Sequence, residues 1–387
     1  MRTNRSARAD HGPRFSRTFG RRGWAGFAAV LPAALTLSGQ AAAAADPAPT
    51  PAAGCGVTLT TSVTLTEDLV CADRALLIGA NDITIDLNGH TIRGPGTGTG
   101  ISADYFRDVS WTNITVKNGK IEGFPTAIYY ANVTGGAVTN VQAGGQIRLE
   151  AVKDLTISGS YRRCVLGSFH SWHGRVTIDH CTLHGVTRNL ESATTVKNSR
   201  LISGQLRFNQ SDNSTIVDNV LDDYPVSMGT ESRGNVFRNN VFKNADIAFE
   251  TGGAIRPNTI EGNTFKDNSI GITGYLFSEN ITGNRFIGNR TAGIYLGDYA
   301  QGPNTITGNT FTRNGHDPSG LTDRQGNPVR GGIHISPRQP PASLTITGNT
   351  GRHNAGYFIY APPGTATDGG GNKGRPCGPE PSAVTCR

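Results

Sequence analysis

Charged residues are scarce in this chain, and both long apolar segments and helical periodicity are missing. Only 17% of the 387 residues are charged and 7% are aromatic, a composition that fits neither a disordered polyampholyte nor a coiled coil. The 51 glycines follow no every-third-residue pattern, which excludes collagen. No useful stretch has a 3.6-residue apolar period, so helical-hairpin and leucine-rich repeats are excluded as well.

The excess of basic residues is confined to the N-terminus. The formal net charge is +7, yet residues 1–45 hold seven arginines and one acidic residue. Beyond them, 29 basic residues face 28 acidic ones. No basic stripe is left to follow a phosphate backbone, so nucleic acid is not an expected partner.

The first 45 residues have the charged, apolar and small-residue order of a secretory signal peptide. Their apolar run, from Trp24 to Leu37, is too short to span a bilayer, and no later segment is long and apolar enough. A Pro/Ala-rich linker over residues 46–54 follows. We therefore expect a protein that is secreted to the extracellular space and has no transmembrane anchor once the signal peptide is cleaved.

The cysteines fall into three local pairs, which agrees with export. Close spacing in an oxidising compartment favours pairing between neighbours, although six cysteines allow 15 connectivities. Buried free thiols at Cys164 and Cys181 are the alternative for the middle pair. The expected disulfides are Cys55–Cys71, Cys164–Cys181 and Cys377–Cys386.

A repeat of about twenty residues determines the fold prediction. Its clearest copies are Phe237–Phe242, Ile260–Phe265, Ile281–Phe286 and Ile306–Phe311. The fourth position of each copy serves as an anchor, and ten anchors can be assigned from residue 141 to residue 349, with Ser160 as the second. Each unit contains short alternating strands punctuated by Gly and Asn, which predicts one coil of a parallel β-helix with an internal Phe stack and an Asn ladder.

These repeats resemble the right-handed parallel β-helix superfamily, often called pectin-lyase-like, in its secreted bacterial branch. The opening Cys55…Leu69-Val-Cys71, the segment Ile83–Ile92 and the tail Pro376-Cys377…Cys386 carry the resemblance further. It implies an all-β solenoid over residues 55–387, with about eleven or twelve coils, a length of roughly 50–60 Å and disulfides at its ends. It implies little about activity, since this scaffold carries lyases, hydrolases, epimerases and adhesive stalks.

A second strand follows each anchor, and its outward side chains are the candidate site. Counting nine or ten residues past the anchor predicts one row on consecutive coils, composed of Glu150, His170, Glu191, Asn209, Gly229 and Glu250. Period-two alternation also turns Arg148 and Arg207 outward, and Arg188 and Glu231 lie near the row. A solvated face whose charges serve solubility is the alternative.

The residue types on this face support two chemistries. Elimination from a uronate polymer needs a cation for the sugar carboxylate and a base for the C5 proton, roles that Arg148 or Arg207 and His170 can fill. Hydrolysis needs two carboxylates about 5–10 Å apart, and we expect Glu231 and Glu250 to lie one coil apart. Catalytic roles are thus assigned to Arg207, His170, Glu231 and Glu250. The remaining candidates, which we expect to bind substrate, are Arg148, Glu150, Arg188, Glu191, Asn209, Tyr275 and Tyr295.

Other features leave alternatives open. A Pro/Gly-rich insertion at residues 314–341 is either the wall of a binding groove or a loop without a function. Tyr275 and Tyr295 either stack on sugar rings or pack under this insertion. His170, His173, His180 and His184 lie within fifteen residues. We expect surface or bend positions and no metal site, and a zinc or copper site is the alternative. No calcium loop is recognisable, so a calcium requirement is left open.

The leading functional hypothesis is an extracellular polysaccharide lyase that acts on an acidic glycan. A non-catalytic module that binds a cell-surface glycan is the alternative, and a glycoside hydrolase with paired Glu ranks third. We expect a monomer whose partner is a polysaccharide or a cell-surface glycan.

Overall fold

The computed structural model describes residues 54–104, 109–229, 231–252, 257–297, 300–336 and 343–387. The predicted signal peptide and all but the last residue of the predicted linker lie outside this part of the chain. The described residues form a right-handed parallel β-solenoid without α-helix. None of the described residues belongs to a helix that is long and apolar enough to cross a membrane.

Three parallel sheets run along the solenoid, because successive coils place strands on the same three faces. Four longer strands turn a corner and belong to two sheets: Trp111–Glu122 and Val133–Ala143 to sheets 1 and 2, Thr182–Leu190 and Arg200–Asn209 to sheets 2 and 3. The other strands of sheet 1 are Val63–Thr64, Thr84–Asp86, Lys153–Ser158, Arg175–Asp179, Ala193–Lys197, Thr215–Val217, Val236–Arg238, Thr259–Glu261, Asn280–Thr282, Asn304–Thr307, Leu344–Thr347 and Thr367–Asp368.

Sheets 2 and 3 have the same parallel order. Sheet 2 also contains Leu69–Val70, Thr91–Arg93, Val165–Leu166, Val220–Asp222, Val241–Lys243, Thr264–Lys266, Arg285–Ile287, Thr310–Thr312 and Thr350–Arg352. Sheet 3 also contains Val57–Leu59, Leu76–Ile78, Thr99–Ala103, Thr126–Ala131, Gln146–Glu150, Phe169–Trp172, Val226–Met228, Ile247–Thr251, Ile270–Gly274, Ala292–Leu296, Gly331–Ile335, Ile359–Tyr360 and Cys377–Gly378. A separate two-stranded sheet pairs Leu276–Phe277 with Ala300–Gln301.

The solenoid has about 14 turns, so the expectation of eleven or twelve was too low. Coils near the N-terminus carry no Asn anchor, and the repeat count therefore missed some of them. At about 4.8 Å per turn, 14 turns extend over roughly 65 Å.

The interior is filled by stacked aromatic and aliphatic side chains, as the repeat predicts. Phe242, Phe265, Phe286 and Phe311 lie on consecutive coils with ring centroids 4.7, 4.9 and 4.7 Å apart and nearly parallel planes. All four rings are at most 1% exposed. Because each ring contacts the ring one coil away, the stack buries apolar surface continuously along the axis.

An Asn ladder lines the bend between sheets 1 and 2, and it confirms the anchor prediction. Asn263 is typical: its Nδ2 donates to the Phe237 carbonyl at 2.8 Å and to Asn284 Oδ1 at 3.1 Å, while its backbone N–H donates to the same Oδ1 at 2.8 Å. Each buried amide is thereby paired within the ladder, as buried polar groups must be. The ladder comprises Asn219, Asn240, Asn263, Asn284, Asn309, Asn349 and Asn372.

A second ladder, at the bend between sheets 3 and 1, contains one acidic member. Equivalent positions on four successive coils hold, in chain order, Asn235, Asn258, Glu279 and Asn304. Its carboxylate accepts from the Asn258 N–H at 3.0 Å and from Asn258 Nδ2 at 3.1 Å. Burial raises the pKa of Glu279 to about 7, and the bonds from Asn258 oppose that rise.

All three expected disulfides are present, and none of the described cysteines is free. Two close the ends of the solenoid, and Cys164–Cys181 lies in its middle. Val165 pairs with Thr182, so Cys164, not Ser160, precedes the sheet-2 strand at the anchor position. Ser160 as an anchor was wrong because residues 161–163 form a turn outside the coil, closed by the Cys164 N–H to the Ser160 carbonyl at 2.7 Å. The disulfide thus joins two successive anchors.

Candidate functional site

One row of side chains runs along the outer face of sheet 3, and we call it the outward row. The strand register places each member opposite the next, one coil away. This spacing, about 4.8 Å, lets one extended ligand touch several members. In chain order, the row comprises Tyr129, Arg148, His170, Arg188, Arg207, Ser227, Glu250, Thr273, Tyr295, His334 and Tyr360.

The predicted row of Glu150, His170, Glu191, Asn209, Gly229 and Glu250 was therefore wrong in register. His170 pairs with Arg148 and Arg188, whereas Glu150 belongs to a parallel row two residues further along the strands, with Trp172, Leu190 and Asn209. Counting from the anchor failed because coils differ in length at the bend between sheets 2 and 3. Pairing of the strands, not distance from the anchor, determines which side chains are neighbours.

The polar part of the outward row runs from Tyr129 to Arg207. Tyr129, Arg148 and Glu150 form a hydrogen-bonded cluster at its N-terminal end. The Tyr129 hydroxyl donates to Glu150 Oε2 at 3.0 Å, and Arg148 Nε donates to Glu150 Oε1 at 2.7 Å. The Arg148 guanidinium also lies 5.5 Å from the centroid of the Tyr129 ring. Burial and then the Glu150 carboxylate raise the pKa of Tyr129 to about 12. The phenol therefore stays protonated at neutral pH.

His170 lies between two arginines and is the chemically most distinctive member of the row. Its Nε2 atom is buried and has no hydrogen-bond partner among the described residues. Burial, followed by the positive charges of Arg148 and Arg188, lowers the pKa of His170 below 6.5. The imidazole is therefore neutral at pH 7 and able to accept a proton.

The next two coils present cations with few partners of their own. Arg188 is exposed and forms no ion pair with any described residue, and Arg207 Nε donates only to the neutral Gln205 Oε1, at 2.6 Å. Asn209 lies outward beside Arg207 on the same strand. Of the three arginines on the row, only Arg148 is thus neutralised by a carboxylate.

The two proposed hydrolytic carboxylates are not cross-strand neighbours. Glu250 lies opposite Ser227, whose hydroxyl is 3.5 Å from Glu250 Oε2. Glu231 lies four residues beyond Ser227, at the bend after the strand, with a φ of 66° and a 3.0 Å bond from Gln210 Nε2. Glu231 and Glu250 lie on neighbouring coils but not opposite each other, because Glu231 lies at the bend while Glu250 is on the sheet.

Glu191 also lies at this corner and not on the sheet face. His173, Glu191, Gln210 and Glu231 all have positive φ values and form a column along the bend between sheets 3 and 1. His173 Nδ1 is 2.9 Å from Glu191 Oε2. Beside the column is a cavity of about 660 Å³, lined by residues that include Lys153, Arg175, Gln210 and Asp212. The corner is therefore a separate polar surface that adjoins the outward row.

Residues 316–330, which we call the covering loop, fold over the C-terminal end of the outward row. Asp323 accepts hydrogen bonds from the Gln325 and Asn327 N–H groups, and its Oδ2 is 3.1 Å from His334 Nε2. His334 is 1% exposed and stacks on Tyr360 with centroids 4.3 Å apart. Tyr295 lies edge-on to His334 at 5.7 Å, so it packs beside this buried group. Tyr275 follows its strand and is 42% exposed.

Sequence reasoning missed Tyr129 and Trp172, although both were detectable by alternation. Tyr129 lies between the inward Ile128 and Tyr130, one coil before Arg148. Trp172 is two residues after His170 and is 42% exposed. The repeat anchors begin at residue 141, so they predict no outward strand that contains Tyr129. Trp172 lies two residues beyond the predicted row position at His170.

Comparison with known proteins gives a partial family match. Residues 173–329 match the family described as periplasmic copper-binding protein (NosD). No curated protein matches the chain.

Several solved structures show a distant similarity to this chain. DFA-IIIase from Arthrobacter chlorophenolicus A6, as a mutant in complex with DFA-III, has 13% identity and a TM-score of 0.48, covering 74% of this chain and 85% of that one. The periplasmic alginate epimerase AlgG has 11% identity and a TM-score of 0.34, with 84% and 77% covered. A PL6 alginate lyase complexed with a trisaccharide has 13% identity and a TM-score of 0.31, with 86% and 79% covered.

The described residues do not fit a copper site. Copper prefers imidazole, thiolate or thioether ligands, but no group of three or more His, Cys, Asp or Glu side chains within the described ranges could hold a metal ion. Every described cysteine is in a disulfide, and Met228 is buried in the core. His173 and His334 each face a single carboxylate.

Proposed function

We propose that the protein is a polysaccharide lyase that cleaves a uronate-containing glycan on the outward row of sheet 3. The observation that carries the proposal is the position of the half-buried His170 between Arg148 and Arg188 on the outer face of the sheet, where burial and both arginines lower the pKa of its imidazole. Arg188 and Arg207 have no carboxylate partner in the described structure and are available to an anionic ligand.

The elimination follows from these charges. Because Nε2 is buried, His170 takes the C5 proton of the uronate ring at Nδ1, the C4–O bond breaks and a C4–C5 double bond forms. The departing glycosidic oxygen takes a proton from water. Negative charge that develops on the substrate carboxylate during proton removal is stabilised by Arg188, whose charge is not neutralised by any carboxylate of the described residues. A base whose pKa is lowered by burial and neighbouring cations stays deprotonated at neutral pH, which this step requires.

The alternatives have less support on this surface. Hydrolysis by Glu231 and Glu250 lacks the facing carboxylates that the reaction needs, because the two residues lie on different parts of the coil. A module that binds an acidic glycan without cleaving it would use the same arginines. It gives no reason for an imidazole held neutral between them.

We propose export from the cytoplasm on the basis of the three disulfides, which persist in oxidising compartments. The predicted partner is a polysaccharide or a cell-surface glycan, and the expected state is a monomer.

The test is incubation of the purified protein with a panel of acidic and neutral polysaccharides, with and without Ca²⁺. Ultraviolet absorbance reports unsaturated ends, and a reducing-end assay reports any cleavage. We expect both signals on a uronate polymer, and a loss of about a hundredfold or more in rate for His170→Ala. Arg285→Ala is the matched control, because Arg285 is exposed on sheet 2 and should leave the rate unchanged.

The possible results distinguish the lyase from the hydrolase and from the binding module. Reducing ends without absorbance would establish hydrolysis and refute the lyase. Retention of an intact glycan in affinity gels, with neither signal, would support the binding module instead. Full activity in His170→Ala would remove the base from the mechanism.

A further inference from the structure

An exposed indole adjoins the proposed site. Trp172 lies on the outer face of the strand Phe169–Trp172, two residues beyond His170, and is 42% exposed. Its cross-strand neighbours are Glu150 and Leu190. Singly exposed apolar side chains are common on protein surfaces, so the position of Trp172 beside His170, and not its exposure alone, indicates a role.

The indole is held in place from one side. Its ring is stacked on the imidazole of His173, with centroids 5.1 Å apart and planes 26° from parallel. His173 in turn is fixed by the 2.9 Å contact between its Nδ1 and Glu191 Oε2. Glu191 and His173 therefore restrict the orientation of Trp172, which lowers the entropy cost of binding a ligand there.

The spacing fits a saccharide chain. Residues two apart on a strand are about 7 Å apart, so a ring over Trp172 leaves room for the next ring, or its carboxylate, at His170. A pyranose ring has an apolar C–H face that packs on an aromatic π face, and its polar edge stays free for charged groups. Trp172 and the arginines would thus contact different parts of one glycan.

We infer that Trp172 is a glycan-binding platform on which one sugar ring of the uronate chain stacks, adjacent to the ring whose carboxylate meets Arg188. The inference rests on the proposed function for its ligand class. It adds a binding residue, held by the Glu191–His173 pair, that fixes which sugar lies at His170.

Fluorescence isolates this residue. The chain has three tryptophans, at positions 24, 111 and 172, so Trp24→Phe with Trp111→Phe leaves Trp172 as the sole indole. Trp111 Nε1 has no hydrogen-bond partner among the described residues, so its replacement removes no such bond. In a His170→Ala background, which slows cleavage, an oligogalacturonate is expected to shift the emission of Trp172 to the blue and to protect it from quenching by acrylamide.

Affinity measured by calorimetry completes the test. Trp172→Ala should weaken oligogalacturonate binding about three- to tenfold, and Trp172→Phe should retain most of it. Tyr161→Ala, at a different bend, is the matched control and should bind normally. Normal affinity in Trp172→Ala, or unchanged emission while the glycan binds, overturns the inference and leaves the proposed function standing. If the parent protein binds no uronate glycan at all, both are refuted.

Discussion

The acidic member of the second ladder should make folding stability depend on pH in an unusual direction. Glu279 is 2% exposed, and its pKa is about 7 in the folded protein against an ordinary 4.5. Below pH 4.5 the carboxyl is protonated in both states and contributes no pH dependence. Between pH 4.5 and 7 the unfolded chain loses this proton while the folded chain keeps it, so stability falls as pH rises.

The size of this effect follows from the shift. A difference of about 2.5 pKa units corresponds to about 3 kcal/mol, which is fully lost above pH 7. Glu279→Gln removes the titration and keeps the side-chain volume. Its single oxygen can accept both bonds from Asn258, as one Asn oxygen does in the other coils. The variant should match the parent near pH 4 and exceed it by about 3 kcal/mol at pH 8.

Urea denaturation of the disulfide-intact proteins across this pH range measures the difference directly. Glu261→Gln is the control, since Glu261 is only partly buried and is paired with Arg238 on the surface. Such a pair contributes little, so that variant should show no growing advantage with pH. Parallel stability profiles for the parent and Glu279→Gln would refute the assignment of a raised pKa to this carboxyl.

Three further predictions concern the site and the scaffold. Arg188→Gln removes a positive charge beside His170, so the acidic limb of the pH–rate profile should move to higher pH; an unchanged limb would exclude the coupling. Asn263→Ala leaves the Asn240 donors and the Phe237 carbonyl unpaired, so the free energy of unfolding from chemical denaturation should fall by about 3 kcal/mol or more. An almost unchanged free energy would mean that water replaces the amide. Replacing Cys164 and Cys181 by Ser should cost about 3 kcal/mol, and equal midpoints for oxidised parent and variant would contradict this.

The fold was predictable from sequence because the repeat encodes it at every level. Three sequence features each predict a contact that the structure contains: the anchor asparagines, the phenylalanine present on each of four successive coils, and the paired cysteines. The N-terminal coils could not be counted in the same way, since Ile114 and Val116 fill the interior there without an Asn signal.

The site was only partly predictable, because its geometry depends on strand pairing between coils of unequal length. The outward positions of Arg148 and Arg207 followed from alternation within single strands. The position of His170 between Arg148 and Arg188 depends on the number of residues in each bend, which the repeat does not specify. No local pattern in the sequence states that Glu231 turns away while Glu250 stays on the sheet.

The covering loop and the polar part of the outward row are separated by regular, ladder-bearing coils. Between Arg207 and His334 the row advances five coils, or roughly 24 Å. Each of these coils contacts mainly its neighbours, so duplication or loss of one repeat would change the distance in steps of about 4.8 Å without altering either end. The scaffold therefore sets the distance between the two surfaces in whole repeats.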